Sequence, residues 1–253
     1  MQVSTVTALT GKLELLAASG DDPYVRYDVR DEVPVRGWSR AGAVAWVAPD
    51  AWHRDRAALN AVGPVPEAAE LVGHMITSGA VEPLPCRLPR GAMPLLPDSV
   101  RPPKWVDWDW WWSQTPPPTQ ANEIAVSWLD DDDHDDITAL LELSSPTASA
   151  SVADEHTLRW CGVRDDSGAL IACCADVRYL PNVPHLASIA TRPDQRGRGL
   201  GAAVTAWISR RCFDEGLGVV TFGMYAHNET ARRMYRRLGF TDLHHWSSAR
   251  LTC

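Results

Sequence analysis

Three glycines are interleaved with arginine and leucine in Arg196-Gly197-Arg198-Gly199-Leu200-Gly201, directly between a strand-like run and a helical one. A turn of this composition exposes backbone N–H groups and lets a ligand approach closely. The helix behind it adds unpaired N–H groups and the positive end of its dipole, so an anion, most naturally a phosphate, fits there. Two familiar phosphate loops are excluded by their neighbours. Gly197-x-Gly199-x-x-Ala202 satisfies the relaxed dinucleotide fingerprint, but that fingerprint also requires an acid about twenty positions on to hold a ribose hydroxyl. The strand that follows, Val219 to Tyr225, carries no acid. A P-loop requires Gly-Lys-Ser/Thr, and this chain has none.

Arg196 to Gly201 matches Arg/Gln-x-x-Gly-x-Gly/Ala in full. A hydrophobic strand ending in x-Pro (Ile189 to Pro193) precedes it, and a strand, Asn228, a short helix bearing Tyr235, and Gly239-Phe240 follow. In these features the chain resembles the GNAT acetyltransferase superfamily, specifically over residues 185 to 240 and more loosely from 122. The resemblance implies an α/β (α+β) fold with a mixed, mainly antiparallel twisted sheet flanked by helices. It also implies an acetyl-CoA-dependent N-acetyltransferase acting on a primary amine of a small molecule or peptide. By the same resemblance, the strands before and after the glycine turn splay apart and the pantetheine arm lies between them. Backbone groups of Ile189, Ala190 and Thr191 would bind that arm. Amides of Arg196, Gly197, Arg198, Gly199, Leu200 and Gly201 would hold the pyrophosphate. Asn228 would help to place the cofactor or cap the last helix, and Ala231 would leave room for it. Tyr235 matches the tyrosine that returns a proton to the thiolate.

The departure from the family lies in the base. Ser188 stands five residues ahead of the proline, where many members carry Glu, and a serine cannot deprotonate an ammonium. His185, Asp176 and His227 are the candidates by strand position. Transfer of a longer acyl group, O-acylation and a non-catalytic acyl-CoA sensor remain alternatives, as does an interaction module built on the tryptophans. Retention of both the glycine turn and Tyr235 favours an enzyme.

The elements that must hold these residues fit within 253 residues, enough for one large domain or two small ones. Charge divides by segment: residues 121 to 190 hold 3 Arg and no Lys against 13 Asp or Glu, whereas residues 191 to 253 hold 10 Arg against 5 acids. The basic segment contains the phosphate turn. A net charge of −8 argues against nucleic acid as the main partner and favours a neutral or cationic acceptor. Cysteines at 86, 161, 173, 174, 212 and 253 form no CxxC pattern and read as reduced thiols. The first nineteen residues lack the pattern of a signal peptide, and no apolar run reaches membrane-spanning length. The expectation is a cytoplasmic protein without membrane or metal, with a homodimer left open.

Three domains are expected: an N-terminal α/β part over 1–100 that loosely echoes the C-terminal half, a Trp/Pro-rich connection over 101–120, and the acetyltransferase domain over 121–253. In the first, Leu13 to Ala18 reads as a helix and Gly42 to Val47 as a strand. Glu67 to Ser78 is a helix closed by Gly79, and Ala80 to Leu84 is a strand. Proline-rich residues 85 to 120 read as a connection, but Trp105 to Trp112 carry too many indoles for a flexible linker and need a surface to cover. The expected role is packing the two halves together, with an aromatic wall for an acceptor as the alternative. Ile124 to Leu129 is a strand, and Asp130 to Asp136 open a helix as cap and solvated face. Thr157 to Val163 and Ala169 to Tyr179 flank the turn Asp165-Asp166-Ser167-Gly168. After strand His185 to Thr191 and the glycine turn comes a helix to Gly216, strand Val219 to Tyr225, a helix from Asn228 to Leu238, and a final strand or hairpin from Phe240 to Leu251.

Overall fold

The computed structural model describes residues 5–31, 33–49 and 56–251. Cys253 lies outside them. In chain order they form β1 (Thr7–Thr10), α1 (Gly11–Ser19), α2 (Pro23–Asp28), β2 (Arg36–Arg40), β3 (Ala43–Pro49), β4 (Ala57–Val62), α3 (Val65–Thr77) and β5 (Pro85–Pro89). There follow β6 (Val106–Ser113), β7 (Val126–Leu129), α4 (His134–Ser144), β8 (Thr157–Arg164), β9 (Leu170–Leu180) and β10 (Val183–Thr191). The chain closes with α5 (Leu200–Asp214), β11 (Val220–Tyr225), α6 (Glu229–Arg237) and β12 (Thr241–Arg250). The architecture is mixed α/β with a mostly antiparallel sheet flanked by helices.

The chain divides into two compact units. One holds the described residues up to Asp109 together with Tyr225–His227 and the segment from His244; the other holds Trp110–Met224 and Asn228–Leu243. In the first, strand order is β1-β2-β3-β4-β5-β12. Antiparallel β3 and β4 lead through α3 to β5, which returns parallel to β4 at Leu59–Cys86 and Asn60–Arg87. Helix α3 presents Ala68, Leu71, Val72, Met75 and Ile76 at helical spacing, and these pack with Ala43, Ala45, Leu59 and Ala61.

In the second unit the order is β6-β11-β10-β9-β8-β7. The β8–β9 turn closes because Asp165 Oδ1 accepts from the N–H groups of Ser167 and Ala169, with Gly168 at φ +86. One face of the sheet is covered by α5 and α6: Leu200, Ala203, Val204 and Ile208 pack with Leu186, Phe222, Tyr235 and Phe240. Full burial of each large side chain in such a face contributes about 1.5–3 kcal/mol. The opposite face is covered by α4, whose Ile137, Leu140 and Leu141 meet Cys173, Ala175, Ala187 and Ala190.

Three expectations shift. The strand expected over 80–84 lies at Pro85–Pro89, because Val81 N–H donates to Met75 C=O and so closes the end of α3. The strand expected from Ile124 starts at Val126: residues Ala121–Ala125 form a 3-10 turn in which Glu123 Oε1 accepts from Gln120 N–H, and Ile124 is exposed. Within the proline-rich stretch, β5 and β6 are regular strands. Trp108, Trp110, Trp111 and Trp112 are carried by β6, with Trp110 and Trp111 buried, and Trp105 just before the strand is exposed. No helix among the described residues is long and apolar enough to cross a membrane.

Candidate active site

Strands β10 and β11 pair in parallel only at His185–Thr221 and Leu186–Phe222. On its other edge β10 carries a bulge: Ala187 opposes Ala175 and Ala190 opposes Cys173, so three steps on β10 match two on β9. Ser188 sits inside the bulge at φ +50, in the left-handed region that a non-glycine residue rarely adopts. Its buried hydroxyl compensates twice, donating to Ala150 C=O at 2.7 Å and accepting from Ala150 N–H at 3.0 Å. The bulge bends β10 away from β11, and no ladder bond to β11 follows Leu186. The backbone edge of Ile189, Ala190 and Thr191 therefore carries no ladder bonds across the gap to β11. Backbone groups left without a ladder partner require hydrogen bonds from elsewhere.

The gap leads to the glycine turn. Gly197 and Gly199 have φ of +77 and +81, and residues 196–199 are exposed. A Cβ on Gly197 would meet nothing within 4 Å. Gly199 is the N-cap of α5 and offers no side chain to its first N–H groups, so the start of a 15-residue helix stays uncapped toward solvent. These features fit a phosphate-bearing ligand.

The two arginines act locally. Arg196 donates to Thr191 C=O (3.3 Å) and Ser144 C=O (3.0 Å), and Arg198 bonds Gln195. Leu200 is buried in the core. Gly201 faces Thr191 Oγ1 and Met234 Sδ, which a Cβ there would meet at 3.5 and 3.6 Å. One participant escaped sequence reasoning. Asn122 Nδ2 donates to Arg198 C=O at 2.6 Å across 76 positions of chain, and no spacing rule could have found it.

Asn228 caps α6: its Oδ1 accepts from Ala231 N–H at 3.1 Å. Tyr235 is buried, with its ring 4.2 Å from Phe222, 5.8 Å from Trp111 and 6.4 Å from Phe240 between centroids. Burial pushes its phenol well above the ordinary value of 10. Arg232 turns inward to Asp242 (3.2 Å) and Glu229 (3.1 Å), although periodicity assigns it to the solvent side.

The base candidates are engaged. Asp176 is fully buried and tied to Arg159 (3.1 Å) and Arg178 (2.6 Å). His185 is buried with Nδ1 3.1 Å from Thr221 Oγ1, and burial lowers its pKa to about 3. Because the Thr221 hydroxyl donates to Pro184 C=O, it accepts from Nδ1–H, which fixes the tautomer. His227 belongs to the first unit, stacked on Tyr225. His244 and His245 face Asp22 (2.9 Å) and Asp109 (2.8 Å) respectively. No group of three or more metal-ligating side chains occurs among the described residues.

The family model described as "Acetyltransferase (GNAT) family" matches residues 105–240. Among solved structures, a GCN5-related N-acetyltransferase from Sphaerobacter thermophilus superposes with a TM-score of 0.60 at 16% identity, covering 96% of this chain and 94% of that one. A GNAT-family acetyltransferase from Colwellia psychrerythraea gives 0.54 at 12% identity over 98% and 100%. One from Novosphingobium aromaticivorans gives 0.52 at 23% over 76% and 83%. No curated protein matches the sequence.

Proposed function

The chain belongs to the GNAT acetyltransferase family, and from that premise we propose that it transfers an acetyl group from acetyl-CoA to a primary amine of a small molecule or peptide by direct attack on the thioester. The observation that carries this reading is the exposed, uncapped glycine turn of α5 opening onto the gap between β10 and β11. Acyl-CoA-dependent acyl transfer follows from the family.

Amides of residues 196–201 hold the pyrophosphate, aided by the helix dipole. Backbone groups of Ile189, Ala190 and Thr191 bind the pantetheine arm as an added strand edge and offer an N–H to the negative charge that develops on the carbonyl oxygen. Asn228 fixes the start of α6, and Ala231 keeps its first turn narrow beside the arm. Tyr235 donates the proton that the departing thiolate takes up, since a buried phenol stays protonated throughout the neutral range. When bound, acetyl-CoA supplies the activated acyl group.

Acetyl-CoA should raise the melting temperature, as any ligand of the folded state alone does by mass action. Gly199→Glu, which puts bulk and negative charge into the turn, should abolish that shift. An undiminished shift in the variant would overturn the assignment of the turn. A screen of amines with acetyl-CoA, reading free thiol, then identifies the acceptor class.

A further inference from the structure

The first unit carries an open cleft of about 460 Å³ along α3, to which the transfer reaction gives no role. Its floor is one stripe of the helix, Glu70, Gly73 and His74, on the side turned away from the buried Leu71, Val72 and Met75. A wall is supplied by the turn over residues 93–97. Met93 and Leu96 anchor that turn in the core, and Arg101 donates to Leu96 C=O from Nε (3.2 Å) and from Nη2 (2.8 Å). A Cβ on Gly73 would lie 2.7 Å from Pro97 Cδ, so only glycine lets the turn come this close to the helix. The wall is therefore set before any ligand arrives, which lowers the entropy that binding must overcome.

The charged groups of the lining are few and adjacent. Arg40, the last residue of β2, reaches into the cleft and meets Glu70 at 2.9 Å. A guanidinium offers five N–H groups and a carboxylate about four acceptor sites, so a single ion pair leaves both with capacity for more. A lone anion on Arg40 would be repelled by Glu70, and a lone cation on Glu70 would be repelled by Arg40. A molecule with an ammonium and a carboxylate side by side is attracted by both, and the pair need not open to admit it. His74 lies one helical turn beyond Glu70, and its imidazole makes no hydrogen bond or ion pair among the described residues. Beside these groups the lining is apolar, formed by Pro97 over Gly73 and by Leu95, which is 54% exposed. Apolar surface there is removed from water only when something covers it.

We propose that this cleft binds a free α-amino acid with an apolar side chain. Its carboxylate lies on Arg40, its ammonium on Glu70, and its side chain along Leu95 and Pro97. His74 adds a polar contact at the same end of the ligand as Glu70. The site belongs wholly to the first unit and is separate from the proposed acyl transfer.

The test is calorimetric titration of the full chain, without acetyl-CoA, with L-leucine, leucinamide and N-acetyl-leucine. Leucine should bind with a Kd of about 1 mM or below. Leucinamide lacks the carboxylate and N-acetyl-leucine lacks the ammonium, so each should bind at least about tenfold more weakly, as expected for losing a hydrogen bond to a charged group. Arg40→Gln and Glu70→Gln should each weaken leucine by a similar factor and leave the melting temperature of the free protein close to that of the parent. The Glu70 side chain is 63% exposed, so its variant still tests the site if the change at Arg40 disturbs folding. Absence of leucine binding, or equal binding of the three compounds, would overturn the proposal. Full leucine affinity in Glu70→Gln would also overturn it, since the amino acid would then be bound elsewhere on the chain. With no acetyl-CoA present, each outcome stands whether or not the transfer reading holds.

Discussion

Tyr235 puts one hydroxyl among Trp111, Phe222 and Phe240, and its ring and its oxygen have separable consequences. Tyr235→Phe keeps the buried ring and removes only the proposed proton donor. We expect kcat to fall by about 10²–10⁴, the usual range for general acid catalysis. Acetyl-CoA affinity and melting temperature should barely move. Activity within about twofold of the parent, far below that range, would make Tyr235 a core residue only. His185 gives a stability prediction with the opposite protonation logic. Its folded pKa of about 3 lies below the ordinary value of 6.5, so on acidification the unfolded chain takes up a proton first. The stabilising contribution is complete above about pH 6.5 and is lost as pH falls toward 3. His185→Asn, which can still donate to Thr221, should therefore lose less stability between pH 7 and pH 5 than the parent does. Urea midpoints at the two pH values measure it; equal losses in the two proteins would mean that His185 titrates normally.

At the scale of elements, the glycine turn depends on two things that sequence reveals unequally. Gly197, Gly199 and the helix behind them were legible because only glycine tolerates positive φ cheaply and because α5 shows a clean apolar face. The tether from Asn122 was not, since a hydrogen bond between distant segments leaves no periodic trace. Asn122→Ala should release the Arg198 carbonyl and loosen the turn. A hydrogen bond is worth about 1 kcal/mol, so acetyl-CoA should bind roughly fivefold more weakly. An unchanged dissociation constant by calorimetry would show that the turn holds its shape alone. The bulge in β10 was equally hidden. Ser188 reads from sequence as an absent carboxylate, whereas in the fold it stabilises a left-handed backbone through two bonds to Ala150. Strand edges were less legible than helices for the same reason. The boundary at Val126 is set by the Glu123–Gln120 cap, and that of β5 by the closure of α3, neither of which alters hydrophobic alternation.

Across the whole molecule, the two units use one local plan with different outcomes. In the second, β9 and β10 lead through α5 to a parallel β11 that pairs at two positions before diverging; in the first, β3 and β4 lead through α3 to a parallel β5 that also pairs at two. The repeated plan was only faintly legible, because the first unit has no glycine-rich turn to mark it. Its connection from β4 to α3 runs only from Gly63 to Pro64, and the helix opens with Pro64 as N-cap, Pro66 and Glu67. Proline has no N–H to offer an anion, and a glutamate in the first turn occupies the positive end of the dipole with its own charge. Gly63 cannot serve as a cradle either, since a group at its Cβ position would lie 2.5 Å from Gly42 C=O. The first unit should therefore bind no acetyl-CoA despite its matching strands. Calorimetric titration of the full chain should give one site per chain. Gly199→Glu, which alters only the second unit, should remove all binding heat. Two sites in the parent, or one surviving in the variant, would mean that a parallel strand pair with a crossover helix suffices for the cofactor and that the uncapped glycine turn does not decide where it binds.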